Sequence, residues 1–504
     1  MGRTLARIVE LTYPGNVTLV RGAMQNWRDF DLARPSGSDV VRRFVLEQLP
    51  EAPARVLVVG PMSVSLVREV AERSGHVTVL ARAIPDAAEI GTAVPTAQVL
   101  CGSLDELDGE FDVVLAIDDL STVQSLERPT APWSELAALV LSRLAPEGQA
   151  LLGVENERGL HRPSGADDPY VRNADADWTP FATWDATRPR SRAQLEAWLP
   201  LGRASAVHDV VGTWSAPTAL AHGPCTSGLA TLWTGRSPVT PVLGLRSAAL
   251  AGCASEHFAG WLVSVGGATQ SGDWFLTPDA RWVVDAGVAE AEDGRRFTIP
   301  PHGLSPFVVL VEAAADTDTP ALRSLLRRWA AWLRSVTVDG MVPAAYADAR
   351  LTNLVPDGDG FLPLVAGSAD ASFESVAWGA LGSALDIITN QGLRHPWPTA
   401  MHRETRLAAL GAMAGLAAPD DLGPYTPQVR DAGQTRDELL AVVRRQQEEL
   451  RSTWSRFRWD EKQYAAWKAV NLGKRAVRYA RKHGRSMPKD AAKRVRSTVA
   501  KRQG

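Results

Sequence analysis

The stretch VLVVG (56–60), SVSLVREVAERSG (63–75) and HVTVL (76–80) decides the fold class, because two continuous apolar runs flank an amphipathic helical pattern. Uninterrupted runs of Val and Leu are typical of strands that are buried on both faces of a parallel sheet. A strand, a helix and a second strand in this order predict one βαβ unit.

The same alternation continues towards the C-terminus. AQVLC (97–101) and FDVVLAID (111–118) have the pattern of strands, residues 133–148 that of a helix, and QALLGVEN (149–156) that of a final strand. Residues 50–165 are therefore predicted to form a Rossmann-like, doubly wound α/β domain, with any ligand at the carboxyl ends of its strands.

Changes of composition divide the rest of the chain. Residues 1–50 are predicted to be a lead-in element packed on the α/β domain, and we assign them no function. Residues 166–224, rich in Asp, Pro, Arg and Trp, are predicted to form a connection or lid. Residues 225–420 are predicted to form a separate α+β domain, and residues 435–504 a helical arm.

The charge is strongly polarised along the chain. The formal net charge is −3, but residues 441–504 carry 19 Lys and Arg against 5 Asp and Glu, whereas residues 1–440 carry 35 against 52. All seven lysines lie between Lys462 and Lys501. An acidic body and a basic tail are therefore expected.

Several classes of protein are disfavoured. Cys101, Cys225 and Cys253 lie far apart without CxxC spacing, so we expect neither a disulfide framework nor a zinc site, and no metal elsewhere. No secretory signal and no run of about 18 apolar residues occurs, so we expect a cytoplasmic protein. P-loop, GxSxG and HExxH motifs do not occur.

Residues 50–165 resemble class I S-adenosylmethionine-dependent methyltransferases. The resemblance is carried by VLVVGPMSVSLVREVAERSG (56–75), LDGEFDVVLAIDDL (107–120) and LSRLAPEGQALLGVEN (141–156). It implies S-adenosylmethionine as the cofactor, with a glycine-rich first loop at the methionine part. It also implies an acid after the second strand for the ribose hydroxyls, and an acid after the third for the adenine amine.

The candidate cofactor residues depart from that pattern. They are Gly60 and Pro61 in the first loop, Arg82 after the second strand, and Ser103 and Asp105 after the third. Loss of a carboxylate that accepts two hydrogen bonds costs about 1.5–3 kcal/mol, so cofactor binding is expected to be weakened. Four residues at or just past strand ends are each equally well explained as ordinary loop residues: Gly60, Arg82, Ser103 and Asp118.

The candidate catalytic residues are Asp118 and Asp119, at the end of the fourth strand. A carboxylate there is placed to orient or deprotonate a substrate hydroxyl.

The region 225–420 resembles the kinase-like half of methyltransferase and kinase fusions of surface-polysaccharide synthesis. The resemblance rests on Asp348 and Asn353 in DARLTN, followed by LVPDGDGFLPL (354–364). It implies that Asp348 orients a hydroxyl and that Asn353 holds a metal ion. The second metal-binding Asp is missing unless Asp370 replaces it, and residues 225–420 contain no lysine, so a degenerate kinase-like domain is expected.

The arm combines a heptad seam with a basic end. Apolar and aromatic residues recur at 3-4 spacing over 440–468, which predicts a coiled coil that forms a homo-oligomer, or a helix packed on its own body. The basic end is open to three interpretations: an anionic membrane surface, favoured by resemblance to the fusion enzymes; nucleic acid, the least favoured; or a solubilising helix end.

Two functions follow as alternatives. The chain is either a methyltransferase acting on a sugar or glycan hydroxyl in cell-envelope polysaccharide assembly, at the inner membrane face, or an inactive scaffold that docks on the membrane or on glycosyltransferases. A third class, nucleic-acid methylation, predicts that the tail binds RNA or DNA better than vesicles.

Overall fold

The structure is a computed structural model in which the chain forms two compact units, Met1–Gly423 and Pro424–Gly504. The described residues all belong to the first unit and are 13–25, 28–29, 34–120, 123–125, 131–161, 185–200, 203–223, 232, 242–267, 272–300, 304–398 and 400–419. The predicted seam over 440–468 and the basic tail lie outside the described residues and stay predictions.

Strands and helices alternate through the first half of the described chain, and helices dominate its end. The strands are β1 (Val17–Leu19), β2 (Arg55–Val59), β3 (His76–Ala81), β4 (Gln98–Cys101), β5 (Phe111–Ala116), β6 (Leu144–Glu155), β7 (Ser205–Gly212), β8 (Pro217–His222), β9 (Gly260–Val265), β10 (Asp273–Leu276), β11 (Arg281–Asp285), β12 (Val288–Ala291), β13 (Arg296–Thr298), β14 (Met341–Val342), β15 (Leu354–Asp357), β16 (Gly360–Pro363) and β17 (Ala371–Ser372). The helices are α1 (Asp39–Gln48), α2 (Val64–Arg73), α3 (Ile84–Ala93), α4 (Trp133–Leu141), α5 (Arg192–Trp198), α6 (Val242–Leu250), α7 (Pro306–Ala315), α8 (Thr319–Ser335), α9 (Ala344–Ala347), α10 (Phe373–Asn390) and α11 (Arg403–Ala414).

One large sheet organises the first unit. Its strand order is β1-β4-β3-β2-β5-β6-β9-β7-β8-β10-β11-β12-β13. The strands from β1 to β6 in this order pair in parallel, and every pair from β6–β9 onwards is antiparallel. The order reverses at β2, from which the chain winds outwards first through β3 and β4 and then through β5 and β6. This is the doubly wound, Rossmann-like arrangement that the sequence predicts for its first part.

Both faces of the parallel part are covered, as continuous apolar strands require. In β2, Val56 and Val58 enter a core shared with α1, α2 and α3, whereas Leu57 and Val59 enter a second core on the opposite face with α4 and α5. Successive side chains of a strand point to opposite faces, so a strand without polar residues is buried on both.

The domain boundary predicted at residue 165 does not coincide with the end of the sheet. β7 and β8 come from the predicted connection 166–224, and β9 to β13 come from the predicted α+β domain 225–420, yet all seven are strands of the one sheet. The apolar pattern of WLVSVGG (261–267) identifies a strand correctly, but local pattern does not encode its partner strands.

The helix predicted over 133–148 is too long. α4 ends at Leu141 and β6 starts at Leu144, where Leu144 pairs with Phe111 before the register shifts. The apolar spacing of α4 continues through Leu144 and resembles another helical turn, whereas pairing with β5 draws these residues into the sheet.

The end of the described chain is a helical part built around its own core. α7, α8, α10 and α11 enclose a cluster that includes Phe307, Trp329 and Leu381. Ser305, Asp318 and Ser372 cap α7, α8 and α10, each accepting a backbone N–H of the first turn. The small sheets β14–β17 and β15–β16 lie among these helices in sequence. Among the described residues, no helix is both long and apolar enough to cross a lipid bilayer.

Candidate functional site

The carboxyl ends of β2, β3, β4 and β5 bring together most residues that the sequence singled out. Gly60 follows β2, Arg82 follows β3, Ser103 follows β4, and Asp118 follows β5. These four strands are neighbours and parallel, so their ends lie along one edge of the sheet, where ligands of doubly wound folds bind.

The lead-in chain runs across this edge. We call its described residues 20–25, 28–29 and 34–36 the crossing segment. The N–H of Val20 donates to Cys101 O (2.8 Å) and that of Ser103 to Arg21 O (3.0 Å). Further along, the N–H of Met24 donates to Arg82 O (2.8 Å). Residues to which the sequence assigned no function therefore bind the ends of β4 and β3.

A glycine allows this close approach. Gly102 has φ +155°, and a Cβ at this position would lie 2.5 Å from Val20 Cγ2 and 2.8 Å from Arg21 O. No other residue fits without moving the crossing segment away from β4.

Arg82 and Asp29 form a buried, two-point ion pair. Arg82 Nε donates to Asp29 Oδ2 (2.9 Å) and Nη2 donates to Asp29 Oδ1 (2.7 Å). Arg82 is 3% exposed and Asp29 0%. The resemblance places a ribose-binding acid at the position of Arg82, but the structure places there a cation whose charge is matched by an acid of the crossing segment.

The same arginine also bridges neighbouring strands. Arg82 Nη1 donates to Gln124 O (2.9 Å), which lies in the segment after β5. Gln124 and Ser125 line the same cavity as Ser103 and Leu104, so the Arg82 side chain lies at the carboxyl ends of β3 and β4. This is the crevice in which a nucleoside would lie.

Asp118 is bound by the end of the crossing segment. Ser36 donates its backbone N–H to Asp118 Oδ1 (2.9 Å) and its hydroxyl to Oδ2 (2.6 Å). The Ser36 hydroxyl in turn accepts the N–H of Ser63 (3.0 Å), in the loop after β2. Burial raises the pKa of Asp118 above its ordinary value, against the hydrogen bonds from Ser36.

Asp119 is part of a second buried ionic group. Its carboxylate pairs with Arg188 and accepts the N–H of Glu155 (2.9 Å). His161 Nε2 lies 3.1 Å from Glu155 Oε1. Asp119 has φ +72°, which is uncommon outside glycine and is held here by these contacts.

The first loop is packed as part of the core. Gly60 has φ +95° and donates its N–H to Leu80 O (2.9 Å), and Pro61 is buried. Met62, 1% exposed, belongs to the core cluster that contains Phe44 of α1. Met62 is thus a residue of the hydrophobic core on the α1–α3 face of the sheet.

A cavity of about 370 Å³ lies at the ends of β4 and β5. Leu104, Leu136 and Leu139 give it apolar walls, and Asp105 and Glu135 contribute carboxyl groups. Of the candidate cofactor residues, Ser103 and Asp105 line this cavity, at the position that the resemblance assigns to adenine.

The fit to S-adenosylmethionine is therefore partial. The cavity beside Asp105 matches the base, but the position that the resemblance gives to the ribose-binding acid holds the Arg82–Asp29 pair. The residues present do not fit the complete cofactor.

The kinase-like residues have structural partners. Arg350 donates to both carboxylate oxygens of Asp348 (2.6 and 2.7 Å). Asn353 is 0% exposed; its Nδ2 donates to Asp348 O (2.8 Å) and Val365 O (2.7 Å), and its Oδ1 accepts the N–H of Val365 (3.1 Å). Asn353 thus fastens the ends of the β15–β16 hairpin.

Asp370 also has a structural partner, because its Oδ1 accepts the N–H of Ala344 at the start of α9 (2.8 Å). Within the part of the chain that the structure describes, no group of three His, Cys, Asp or Glu side chains is arranged to hold a metal ion.

Sequence reasoning missed several residues of this edge: Asp29, Ser36, Glu155, His161 and Arg188. Asp29 and Arg82 are 53 positions apart, and Asp119 and Arg188 are 69 apart. No local spacing signals such pairs. The sequence does place charged residues directly after apolar strands, at positions that this fold buries. Because buried charges are almost always paired, these residues indicate partners elsewhere in the chain.

The sequence matches no protein-family profile and no curated protein. Among solved structures, a putative methyltransferase from Pseudomonas syringae is 20% identical, covers 23% of this chain and 73% of its own, and has a TM-score of 0.20. The magnesium protoporphyrin IX methyltransferase from Synechocystis PCC 6803, solved with bound SAH, is 11% identical, with coverage of 45% and 81% and a TM-score of 0.27.

A third similar structure is a SAM-dependent methyltransferase from Thiobacillus denitrificans in complex with S-adenosyl-L-homocysteine. It is 13% identical, covers 45% of this chain and 90% of its own, and has a TM-score of 0.25. The solved structures to which this chain is similar thus include SAM-dependent methyltransferases, at a similarity too low to assign an activity.

Proposed function

We propose that this is a methyltransferase-like protein that acts without catalysis, as a binding and assembly component. The observation that carries the proposal is the buried pair of Arg82 and Asp29, which lies at the end of β3, where the resemblance places the ribose-binding acid. The methyltransferase-like character is supported by the sequence resemblance and by the strand order of the parallel sheet.

The energetic barrier to a nucleoside at this position is large. A ligand must displace Asp29 or Arg82, and separating a buried ion pair costs about 3–5 kcal/mol. This cost lowers affinity by roughly 100-fold to 4,000-fold, which turns a micromolar ligand into one of near-millimolar or weaker affinity.

Titration calorimetry with S-adenosylmethionine and S-adenosylhomocysteine tests the proposal. We expect no binding heat below millimolar ligand for the full chain. The double variant Asp29→Ser/Arg82→Ser removes both charges together and shortens both side chains, so any gain in affinity there identifies the pair as the obstacle. Micromolar binding to the unaltered chain would overturn the proposal.

One observation favours a second function, S-adenosylmethionine-dependent O-methylation of a sugar or glycan hydroxyl, with Asp118 and Asp119 as the candidate catalytic residues. It is the cavity of about 370 Å³ beside Asp105, which is large enough for a base with apolar sides and an amine. This function predicts micromolar S-adenosylmethionine binding that weakens in Asp105→Ala and is abolished by Gly60→Arg.

The helical part is proposed to be a kinase-like remnant without phosphoryl transfer. The support is that Asp348 is paired with Arg350 and that the Asn353 amide fastens a hairpin. Nucleotide with magnesium should therefore leave the thermal midpoint of the full chain unchanged, whereas a rise of several degrees would contradict the proposal.

The proposed setting is glycan assembly for the cell envelope, in the cytoplasm at the inner face of the membrane. It rests on the sequence resemblance, on the predicted homo-oligomer seam over 440–468 and on the basic tail. Light scattering of the full chain, compared with a Leu450→Glu/Trp454→Glu variant, tests the oligomer: a fall in mass supports the seam, and an unchanged mass contradicts it.

A further inference from the structure

The exposed side of α8 carries four arginines: Arg323, Arg327, Arg328 and Arg334, which we call the arginine face. Its opposite side is buried in the helical core through residues such as Leu322, Trp329 and Leu333. At about 100° and 1.5 Å per residue, Arg323, Arg327 and Arg334 fall within a sector of about 40° and span about 16 Å. Arg323, Arg327 and Arg334 therefore form a row, and Arg328 lies about 100° round the helix from Arg327.

The positive charge of the arginine face is not balanced by acidic residues on the same helix. From residue 319 to residue 338 the sequence contains no Asp or Glu, in a body whose net charge is negative. Arg323 and Arg327 form no ion pair or hydrogen bond with any described residue. Pro320, Ser324, Ala331 and Ser335 are the other exposed residues of this side, so small uncharged side chains separate the cations.

Neighbouring elements carry exposed carboxylates, and none of these forms an ion pair with the arginine face within the described residues. They are Asp316, Asp318, Asp339, Asp357, Asp359, Glu374 and Glu404. Arg328 lies over the Phe361 ring (4.9 Å), and Arg334 donates to Gly415 O (2.8 Å). All four arginine residues are exposed at the surface.

A tight hairpin follows α8 and exposes two apolar side chains, Val338 (62% exposed) and Met341 (43%), which we call the apolar tip. Val338 and Met341 exchange two backbone hydrogen bonds (2.8 and 2.9 Å), with Asp339 and Gly340 between them at φ +51° and +78°. Two positive φ values and an Asp-Gly pair define a rigid type I′ turn. Directly opposite residues of a hairpin project to the same side.

The arginine face and the apolar tip are contiguous. Arg334 lies one turn before the hairpin, with its guanidinium 5.7 Å from the Phe373 ring centre. The N–H of Phe373 donates to Gly340 O at the turn (3.0 Å). The cations at the end of α8 and the protruding apolar side chains are thus adjacent on the surface of the helical part.

We propose that this surface docks on an anionic lipid membrane, with the arginine face at the headgroups and the apolar tip at the acyl boundary. Anionic leaflets attract each nearby cation, and apolar side chains gain by leaving water at the interface. A nucleic acid engages the arginines but leaves Val338 and Met341 in water, so lipid accounts for both features. The inference goes beyond the proposed function and does not depend on it.

Vesicle cosedimentation of the full chain tests the electrostatic part, with the basic tail present in every variant. Arg323→Gln/Arg327→Gln should bind phosphatidylglycerol-containing vesicles up to about thirtyfold more weakly, since two cations are lost from the contact. Arg68→Gln/Arg296→Gln is the matched control, because it removes two exposed arginines elsewhere and the same net charge. An equal loss in both variants would overturn the proposal.

A fluorescent label tests the apolar part. Val338→Cys carries an environment-sensitive dye in a chain whose Cys225 and Cys253 are changed to Ser, and Val283→Cys, 57% exposed in the unaltered chain on β11, is the control position. Phosphatidylglycerol vesicles should shift emission to the blue at position 338 and not at 283, and phosphatidylcholine alone should shift neither. An unshifted dye at 338, or a shift induced by RNA instead, contradicts membrane docking.

Discussion

Arg82 Nη2 lies 2.7 Å from Asp29 Oδ1, and both side chains are shielded from water by the crossing segment and the strand ends. Asp29→Ala removes the carboxylate that the buried Arg82 guanidinium binds at two points, so we expect it to lower the free energy of unfolding by about 3–5 kcal/mol. Urea denaturation measures the loss.

The matched double variant Asp29→Leu/Arg82→Met removes both charges and keeps most of the volume. It should be within about 1–2 kcal/mol of the unaltered chain, because replacing a buried ion pair by apolar groups is close to neutral. A loss in the double variant as large as in Asp29→Ala would show that shape, not charge, dominates here.

Because His208 is buried, we expect the free energy of unfolding to fall at acid pH. Burial, followed by the nearby His222 and two arginines, holds the pKa of His208 well below its ordinary value of 6.5. The unfolded chain therefore binds a proton below about pH 6.5 that the folded chain does not, so this contribution to stability is complete above that pH and is lost as pH falls.

His208→Gln removes the titrating group and should flatten the dependence of the urea midpoint on pH below 6.5. His76, exposed at the start of β3, offers the control variant His76→Gln, which should keep the slope. Equal slopes in the unaltered chain and in His208→Gln would contradict the assignment.

Gly153 lies where β6 passes closest to the chain after β5. A Cβ at Gly153 would lie 1.7 Å from Ile117 O, a backbone atom that cannot rotate away. Gly153→Ala should therefore destabilise the protein by about 3 kcal/mol or more, at the upper end of overpacking costs, and reduce its soluble yield.

Gly379→Ala is the control for that substitution. Gly379 lies within α10, and a methyl group added there would meet open space, so alanine should stabilise the chain by about 0.5–1 kcal/mol. Thermal unfolding of the two variants should therefore shift in opposite directions, and a parallel shift would refute the packing argument.

The hydrogen bonds of Asn353 require an amide side chain at position 353. Its Nδ2 faces the carbonyl oxygens of Asp348 and Val365, so Asn353→Asp places a carboxylate oxygen against two acceptors and should cost about 2–4 kcal/mol. Asn390→Asp, at the exposed end of α10, should cost less than about 1 kcal/mol. Similar midpoints for the two variants in chemical denaturation would mean that the Asn353 amide does not stabilise the β15–β16 hairpin.

The sequence predicted individual strands far better than it predicted which strands pair with each other. The apolar runs at 56–60 and 76–80 correspond to β2 and β3, because a strand buried on both faces is recognisable from its own residues. That β9 inserts between β6 and β7 depends on pairing across the chain, which no local pattern contains.

The sequence predicted where the residues at this edge of the sheet lie, but not which partners their side chains have. Gly60, Arg82, Ser103 and Asp118 follow strands, and parallel strands align their ends, so their proximity follows from the fold. The partners of Arg82 and Asp118 are Asp29 and Ser36. Both partners come from the lead-in element, whose short apolar runs gave no sign that it crosses the strand ends.

The position of β9 has a consequence for biosynthesis. β6 ends at Glu155 and β9 begins at Gly260, so roughly a hundred residues must be translated before the gap between β6 and β7 is filled, about 5–20 s at cellular rates. Until then a nascent chain exposes two unpaired strand borders, which are templates for aggregation. Chaperone demand on the ribosome should therefore peak between the emergence of β6 and that of β9.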